Sequence, residues 1–509
     1  METPLFDRCW WRSPELGFVV DLSAALPSPP THADEAAFAS SFVSMAALEA
    51  GAIANPDEGR QVGHYWLRAP QLAPAAFGAA IEAVRRQCLE LARDVHLDGT
   101  CTHALILGIG GSALGPQLVA DSLAEPEDRV RLVFLDNTDP DGMARVIGPL
   151  DLETTLVVCI SKSGGTAETR NALVEVQAAY ARAGVPFGPN AIAITGEGSR
   201  LWNVASEWRA RIPMWDWVGG RTSLTSAVGL LPMALQGAEV DEFLAGAAAM
   251  DVATRIPRLM DNPAALLAHA WFVLGEGRGG RAMVVLPYRD RLLLFSRYLQ
   301  QLVMESLGKA TDLAGREVHQ GLTVYGNKGS TDQHAYVQQL REGPDDYFAT
   351  FIGFADDGYH GAEEVEPGVA SGDFLQGFLL GTRRALGDAG HPSITLTLDR
   401  FDARHLGALI ALFERAVGLY ASRIGVNAYH QPGVEAGKRA ATDVLSIRAR
   451  LLVLLGDDPQ TASALAEALG TAHADVVWYL LNRLAINEHG VNRIVGMRPR
   501  DDKFFRVIG

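Results

Sequence analysis

Cysteine is scarce in this chain of 509 residues, which contains only four: Cys9, Cys88, Cys101 and Cys159. They show no Cys-x-x-Cys spacing, which argues against a zinc site and against a disulfide framework. Cys159 falls inside a strongly apolar segment, which predicts a small buried core residue. We therefore expect four reduced cysteines, as is usual in the cytoplasm.

Long apolar runs and an excess of positive charge are also missing. No run is long enough to cross a bilayer, and residues 1–18 lack the apolar core of a signal peptide. The 44 Lys and Arg residues face 60 Asp and Glu, a formal net charge of −16. This balance argues against nucleic acid or an anionic membrane as the main partner. We expect a soluble cytoplasmic protein that holds any anionic ligand with local cations and backbone dipoles.

Apolar residues, at 48% of the chain, and 52 glycines are abundant. Short apolar runs alternate with helical patterns, which predicts an α/β protein of doubly wound parallel sheets with ligands at the carboxyl ends of the strands. The predicted strands are 103–111, 130–135, 155–160, 190–195, 281–287, 321–325, 347–354 and 393–399. They form two groups, which predicts one domain at 61–240 and a second of the same class at 280–445.

The ends of the chain differ from these two domains. Residues 1–60 are interpreted as a lead-in, and 450–509 as a small helical tail that is winged-helix-like, with a possible hairpin at 486–493. The charge of the tail is balanced, so packing is favoured over DNA binding. Two internal segments complete the prediction. For 55–68 we favour a capped surface helix over an ordered loop near a site, and 291–307 is predicted as one long helix.

The segment 161–171 joins a predicted strand to a predicted helix and is rich in hydroxyl side chains and glycine. Glycines let backbone N–H groups face a ligand, and a helix N-terminus adds partial positive charge. A single helix cap uses one hydroxyl, whereas this turn carries Ser161, Ser163, Thr166 and Thr169. We therefore predict a phosphate pocket in preference to an ordinary capped turn. The spacing is not that of a nucleotide P-loop.

Two further glycine turns stand out, the first after a predicted strand and the second before a predicted helix. The first, 108–116, contains Gly111 and Ser112, and it is not a dinucleotide fingerprint because position 113 is alanine. The second places Arg221 between two glycines and two hydroxyls. Arg221 could be a surface arginine at a helix start, but this setting favours a cation that faces an anion.

Six motifs in order match a known family. They are GIGGSALGP (108–116), SKSGGTAET (161–169), GGRTSL (219–224), MESLGK (304–309), GSTDQHAY (329–336) and NAYHQPGVEAGK (427–438). Together they resemble the phosphoglucose isomerase family over about residues 55–445. The resemblance implies two sugar-isomerase domains, each an αβα sandwich, in a homodimer whose active site lies between subunits. It implies interconversion of glucose 6-phosphate and fructose 6-phosphate, a step of glycolysis and gluconeogenesis, without a cofactor.

The resemblance also implies a role for each motif residue. The 6-phosphate would be held by Ser161, Lys162, Ser163, Thr166 and Thr169, and the sugar by Gly111, Ser112 and Gln431. Arg221 would stabilise the enediolate, Glu305 would carry the proton between C1 and C2, and His334 with Lys438 would open the ring. No cluster of metal-ligating residues accompanies the motifs, so we expect no metal.

Two positions depart from the family pattern. Asn327 stands where animal and enterobacterial relatives carry a glutamate, so the base is either Glu305 or another carboxylate, with Asp332 the first alternative. The ring-opening histidine of the animal pattern lies further along the chain and comes from the partner subunit. This leaves His360 and His405 open beside His334.

Two other functions remain open on the sequence. Single sugar-isomerase domains bind phosphosugars in regulators, so the chain could be a non-catalytic sensor whose tail reads DNA. The presence of both Glu305 and Lys438 favours the enzyme. A second alternative is an isomerase that also accepts mannose 6-phosphate.

Overall fold

The computed structural model describes residue 6 and residues 8–506, apart from the side chains of residues 434–436 and 438. The chain divides into two compact units, Met1–His430 and Gln431–Gly509. All four cysteines are free, and only Cys101 is partly exposed, as the sequence predicts. None of the helices described in either unit is both long enough and apolar enough to cross a membrane.

The strands of the first unit are short and occur along its whole length. In chain order they are β1 (Trp10–Ser13), β2 (Phe18–Asp21), β3 (Ile53–Asn55), β4 (Arg60–Gln61), β5 (His103–Leu107), β6 (Arg131–Leu135), β7 (Thr155–Ser161), β8 (Ala191–Thr195), β9 (Ala210–Pro213), β10 (Ala282–Pro287), β11 (Lys309–Thr311), β12 (Glu317–Gln320), β13 (Val324–Tyr325), β14 (Tyr347–Phe354), β15 (Glu364–Glu366), β16 (Val369–Ala370) and β17 (Ser393–Leu398).

Helices separate most of these strands. They are α1 (His32–Glu49), α2 (Ala75–Asp98), α3 (Leu114–Ser122), α4 (Pro140–Ile147), α5 (Ala167–Ala183), α6 (Arg200–Val204), α7 (Ala227–Gln236), α8 (Val240–Thr254), α9 (Pro263–Leu274), α10 (Phe295–Leu299), α11 (Val337–Glu342), α12 (Ser371–Asp388) and α13 (Ala403–Ile424). The sequence predictions missed three helices, α4, α6 and α12, and the strands β1 to β4, β9, β11, β12, β15 and β16.

The first sheet has five strands in the order β6-β5-β7-β8-β9, all parallel. Its central strand β7 is buried along its whole length, as an apolar run of β-branched residues requires in a parallel sheet. The turns that follow β5 and β7 therefore lie at the same edge of the sheet. This edge carries two of the predicted glycine turns.

The second sheet has six strands in the order β1-β2-β17-β14-β10-β13. Strands β17, β14, β10 and β13 are parallel, whereas β2 and β1 are added antiparallel at one edge. The N-terminal residues are therefore part of the second sheet, which differs from their interpretation as a lead-in. Phe18 and Val20 are buried in this pairing, so hydrophobic burial explains why the chain end joins the sheet.

Helix α13 forms the centre of the helical core. Almost all of its residues are buried, and it packs against α1, α8 and α9. A Cβ atom added at Gly407 would lie 2.0 Å from the carbonyl oxygen of Phe243, so only glycine permits this approach to α8. The close contact joins α8, which follows the first sheet, to α13, which follows the last strand of the second sheet.

Two predicted helices have a different form in the structure. Residues 55–68 form the hairpin of β3 and β4 and then a buried 3-10 turn, His64–Arg68. The prediction of a capped surface helix is wrong there, because the aromatic side chains are buried rather than exposed. In the predicted helix 291–307, α10 passes into a π-helix at Gln300–Glu305.

The second unit begins with α14 (Pro432–Leu454) and continues with α15 (Ala462–Leu469) and α16 (Ala474–Ile486). A three-stranded antiparallel sheet of Gln460–Thr461, Asn492–Ile494 and Lys503–Phe505 packs with them around one apolar core. This is the predicted winged-helix-like arrangement. The hairpin is Asn492–Phe505 rather than 486–493, because Ile486 still belongs to α16.

Candidate active site

Two glycine turns that are far apart in the sequence meet in the structure. Gly111 lies in the 3-10 turn Gly110–Ser112, and a Cβ atom added there would lie 1.9 Å from the carbonyl oxygen of Gly220. Any side chain at position 111 would therefore separate the turns. Ser223 Oγ also donates to the Gly111 carbonyl oxygen at 3.4 Å. The contact places Ser112 and Arg221 on adjoining turns.

Arg221 is a buried cation with a defined set of acceptors. Nη1 donates to Ala428 O at 2.7 Å and to Ser306 Oγ at 3.3 Å. Nη2 donates to Glu305 Oε1 at 3.2 Å and to His430 O at 3.3 Å. Burial lowers the pKa of Arg221, while Glu305 acts in the opposite direction. Arginine stays protonated at neutral pH in proteins, so the guanidinium is a fixed positive charge at the site.

Glu305 lies at the last position of the π-helix and forms an ion pair with Arg221. Its side chain is 19% exposed, against 6% for Arg221. The carboxylate is therefore reachable by a small molecule while the guanidinium behind it is held in place. π-helical turns within α-helices are frequent at functional sites. This geometry suits a carboxylate that accepts and returns a proton.

Lys162 lines the same cleft as Arg221 and Ser306. Its ammonium donates to the carbonyl oxygens of Asp216 and Val218, both at 2.8 Å. Burial, followed by the charge of Arg60, lowers the pKa of Lys162 to about 8. The side chain is thus held against the loop after β9.

The predicted phosphate turn brings three hydroxyls together at the start of α5. Ser161 Oγ donates to Thr166 Oγ1 at 3.1 Å, and both residues line one pocket with Thr169. Thr166 occupies the N-cap position but its side chain makes no capping hydrogen bond, so the turn is not an ordinary cap. The buried hydroxyl of Thr169 has no hydrogen-bond partner among the described residues. Ser163 is exposed and accepts from Gly165 N at 3.3 Å.

Replacing Thr166 by valine tests the phosphate turn. The change removes a hydroxyl at nearly constant volume, so we expect an intact fold and weaker binding of 6-phosphate sugars and of inorganic phosphate. One charge-assisted hydrogen bond contributes about 1.5–3 kcal/mol, roughly ten- to a hundredfold in affinity. Calorimetric titration measures the loss, with Thr311→Val, an exposed position on β11, as the matched control. Unchanged affinity for both ligands would make the turn purely structural.

The alternative base Asp332 is engaged elsewhere. Its carboxylate is buried and accepts from Asn327 N at 3.0 Å, from Asn327 Nδ2 at 3.2 Å and from the hydroxyl of Tyr336. Asn327, at the position of the family glutamate, is thus a structural partner of Asp332. These contacts hold the glycine loop in shape and leave Glu305 as the better placed carboxylate.

The three candidate histidines lie outside the cleft that Arg221 lines. His334 is exposed at the end of the 3-10 turn Thr331–His334. His360 is also exposed, 3.7 Å from the carboxylate of Asp356. His405 is buried in the first turn of α13, where its Nδ1 lies 2.7 Å from Asp402 Oδ1, which is a structural role. Of the three, His334 alone belongs to one of the six motifs.

Two predicted site residues belong to the second unit. Gln431 is the N-cap residue of α14. Lys438 falls on the same helix, but its side chain lies outside the described residues. Both stay predictions.

A buried ion-pair network that the sequence predictions missed reaches the cleft through Glu414. Arg68 donates to Asp251 through Nε at 2.6 Å and Nη2 at 2.9 Å, and it also pairs with Glu414. Arg415 pairs with Asp251 at 3.3 Å and with Glu49. The partners come from four separate segments, and truncating one partner of a buried pair costs about 3–5 kcal/mol. No spacing in the sequence relates them, so the network emerges only in the fold.

Metal ligands are not grouped anywhere in the part of the chain that the structure describes: no three His, Cys, Asp or Glu side chains are placed to hold an ion. Lys162 and Arg221 line the cleft, and the carboxylate of Glu305 pairs with Arg221. These groups move and stabilise protons and negative charge.

Comparison with known proteins agrees with this chemistry. The family model described as phosphoglucose isomerase matches residues 33–360 and 360–464. A glucose-6-phosphate isomerase from Synechococcus sp. (strain JA-3-3Ab) is 56% identical over 93% of this chain and 92% of its own length. One from Geobacter sulfurreducens is 54% identical over 94% of this chain and 94% of its own length.

A solved structure supports the same conclusion. The glucose-6-phosphate isomerase from Chlamydia trachomatis has a TM-score of 0.80 and 27% identity, covering 88% of this chain and 92% of that one. Two mainly parallel sheets, with glycine turns that meet beside an arginine–glutamate pair, define a sugar-phosphate isomerase. The chain belongs to the phosphoglucose isomerase family.

Proposed function

We propose that this chain interconverts glucose 6-phosphate and fructose 6-phosphate, with Glu305 as the base that moves a proton between C1 and C2. The isomerase activity follows from the family and from the identity to glucose-6-phosphate isomerases over most of the chain. The observation that supports Glu305 is its position: a partly exposed carboxylate, 3.2 Å from a buried arginine at the cleft.

The reaction needs a proton acceptor and a stabilised anion. The Glu305 carboxylate takes the proton from C2 of the open-chain aldose, which leaves a cis-enediolate, and returns it to C1 to give the ketose. Arg221 faces the negative charge that develops on the enediolate oxygens and stabilises it without having to change its own protonation. A proton moves between O1 and O2 in the same step, so no redox partner is needed.

Binding and ring opening use the other motif residues. The hydroxyls of Ser161 and Thr166, the backbone of the turn and the N-terminus of α5 hold the 6-phosphate. His334 and Lys438 act as the acid and base at the ring oxygen and O1. Gly111, Ser112 and Gln431 position the sugar between these groups.

We also infer a homodimer and a location in the cytoplasm. His334 is exposed and lies outside the cleft that Arg221 lines. This suits a site that a second subunit completes, since one exposed histidine then reaches the partner's cleft. Sedimentation velocity measures the oligomeric state, and a monomer at working concentration would exclude the shared site.

A coupled assay tests the function directly. With fructose 6-phosphate supplied and glucose 6-phosphate detected, we expect full turnover in the presence of EDTA, because the proposed steps use side chains alone. Mannose 6-phosphate in the same assay reports the breadth of sugars accepted. Activity that a chelator abolishes and a divalent ion restores would overturn the mechanism.

A further inference from the structure

Lys309 is a buried lysine that follows Glu305 by four residues. The residue is 5% exposed. Its ammonium donates to Glu305 O at 2.7 Å and to Ser306 O at 2.8 Å. Lysine is rarely buried to this extent unless its charge is satisfied, so the two carbonyl contacts require an explanation. They place a cation directly against the main chain of the proposed base.

The main chain at this point needs such a donor. Glu305 ends a π-helix, and carbonyl groups at the end of a helix lack their usual backbone partners. Lys309 begins β11, whose pairing of Lys309 with Gln320 fixes its backbone from the other side. The side chain therefore links a fixed hairpin to the end of the π-helix. Removing it would leave two buried carbonyl groups without this donor.

The charged groups that face Lys309 are Arg221, Glu305 and Asp57. Burial, followed by the charge of Arg221, lowers the pKa of Lys309 to about 8, and the two carboxylates oppose this effect. The side chain is therefore mostly a cation below pH 8. Glu305 then lies between two positive charges, with Arg221 at its carboxylate and Lys309 at its main chain.

We propose that Lys309 is a positioning residue that fixes Glu305 for proton transfer and adds to the positive field around its carboxylate. The inference rests on the proposed role of Glu305 as the base. We assign Lys309 no contact with the substrate. It acts through the carbonyl groups of Glu305 and Ser306, which set where the carboxylate can point.

The test compares three substitutions. Lys309→Met removes both charge and donors, Lys309→Gln removes the charge and keeps two N–H donors, and Lys309→Arg keeps the charge. A misplacement on the order of 1 Å can cost about a hundredfold in rate. We therefore expect kcat of Lys309→Met to fall by about that factor with KM little changed, Lys309→Gln to fall less, and Lys309→Arg to recover part of the rate.

The pH profile separates positioning from a merely structural role. Loss of a neighbouring cation makes a carboxylate harder to ionise, so the acid-side midpoint of kcat/KM should move to higher pH in Lys309→Met and Lys309→Gln. A structural defect would lower the rate equally at every pH. Lys503→Met, on an exposed strand of the second unit, is the matched control. Should Lys309→Met not fold, Lys309→Gln provides the same comparison.

A double-mutant cycle with Glu305→Gln identifies the route of the effect. If Lys309 acts through Glu305, adding Lys309→Met to Glu305→Gln should cause no further loss of kcat. The proposal would be overturned if Lys309→Met lowered kcat as much in the Glu305→Gln background as it does alone. It would also be overturned if the single Lys309 variants kept the wild-type kcat and the wild-type acid-side midpoint of kcat/KM. An active Glu305→Gln enzyme would instead refute the assignment of the base, which is a different failure.

Discussion

The Glu305→Gln enzyme should lose about 10²–10⁴-fold in turnover, the range that general-base catalysis typically contributes. Glutamine keeps the size of Glu305 and can accept from Arg221 through its amide oxygen, so the fold and the geometry of this contact should change little. It cannot hold the proton that moves from C2 to C1. The coupled assay measures the loss in kcat, and thermal unfolding confirms that the variant is folded.

Two partial reactions identify the defect in Glu305→Gln. Ring opening is assigned to His334 and Lys438, so the variant should still interconvert the α and β anomers of the substrate. Exchange of the C2 hydrogen with solvent, followed by NMR in deuterated water, should stop. Glu317→Gln, on an exposed strand, is the matched control and should behave as wild type. A variant with normal isomerisation would move the base to another carboxylate of the cleft, starting with Glu58.

Much of this site could be predicted because local chemistry determines it. The glycine turn at Gly111 follows a short apolar strand, and parallel strands bring their carboxyl ends to one edge of a sheet. The hydroxyl-rich turn after β7 is also a local signal. The structure adds the fact that the turns at Gly111 and Gly220 touch, which no spacing in the sequence states.

The features that the sequence did not reveal depend on long-range packing. Strands β1 and β2 are four residues each; β2 is a strand because it pairs with β17, and β1 because it pairs with β2. The π-helix at Gln300–Glu305 has the same apolar pattern as an α-helix, so periodicity cannot distinguish the two. Arg68 lies 183 residues from Asp251 and 346 from Glu414 along the chain. In each case the deciding partner is supplied by the fold.

Substitution of Arg221 should cause the second large loss of kcat. Its guanidinium both faces the developing oxyanion and holds neighbouring groups by hydrogen bonds. Removing one preorganised donor from a developing oxyanion costs about 10²–10³-fold in kcat. We expect Arg221→Met to lose at least that much. Its fork of donors also serves Ala428 O, Ser306 Oγ and Glu305 Oε1. A lysine supplies the charge but not the planar fork, so Arg221→Lys should recover only part of the rate.

Because Arg221 is buried, its removal also weakens the fold, and the two effects must be measured separately. A buried acceptor left without a donor costs about 1–3 kcal/mol, so Arg221→Met should unfold at a lower temperature. Affinity for inorganic phosphate reports the turn at Ser161–Thr166 and should stay within a few-fold of wild type, while kcat falls. Arg384→Met, on the exposed face of α12, controls for loss of an arginine. A wild-type kcat in Arg221→Lys, or a loss of kcat in Arg221→Met only in proportion to its phosphate affinity, would each mean that other groups stabilise the enediolate, starting with Lys162, which lines the same cleft.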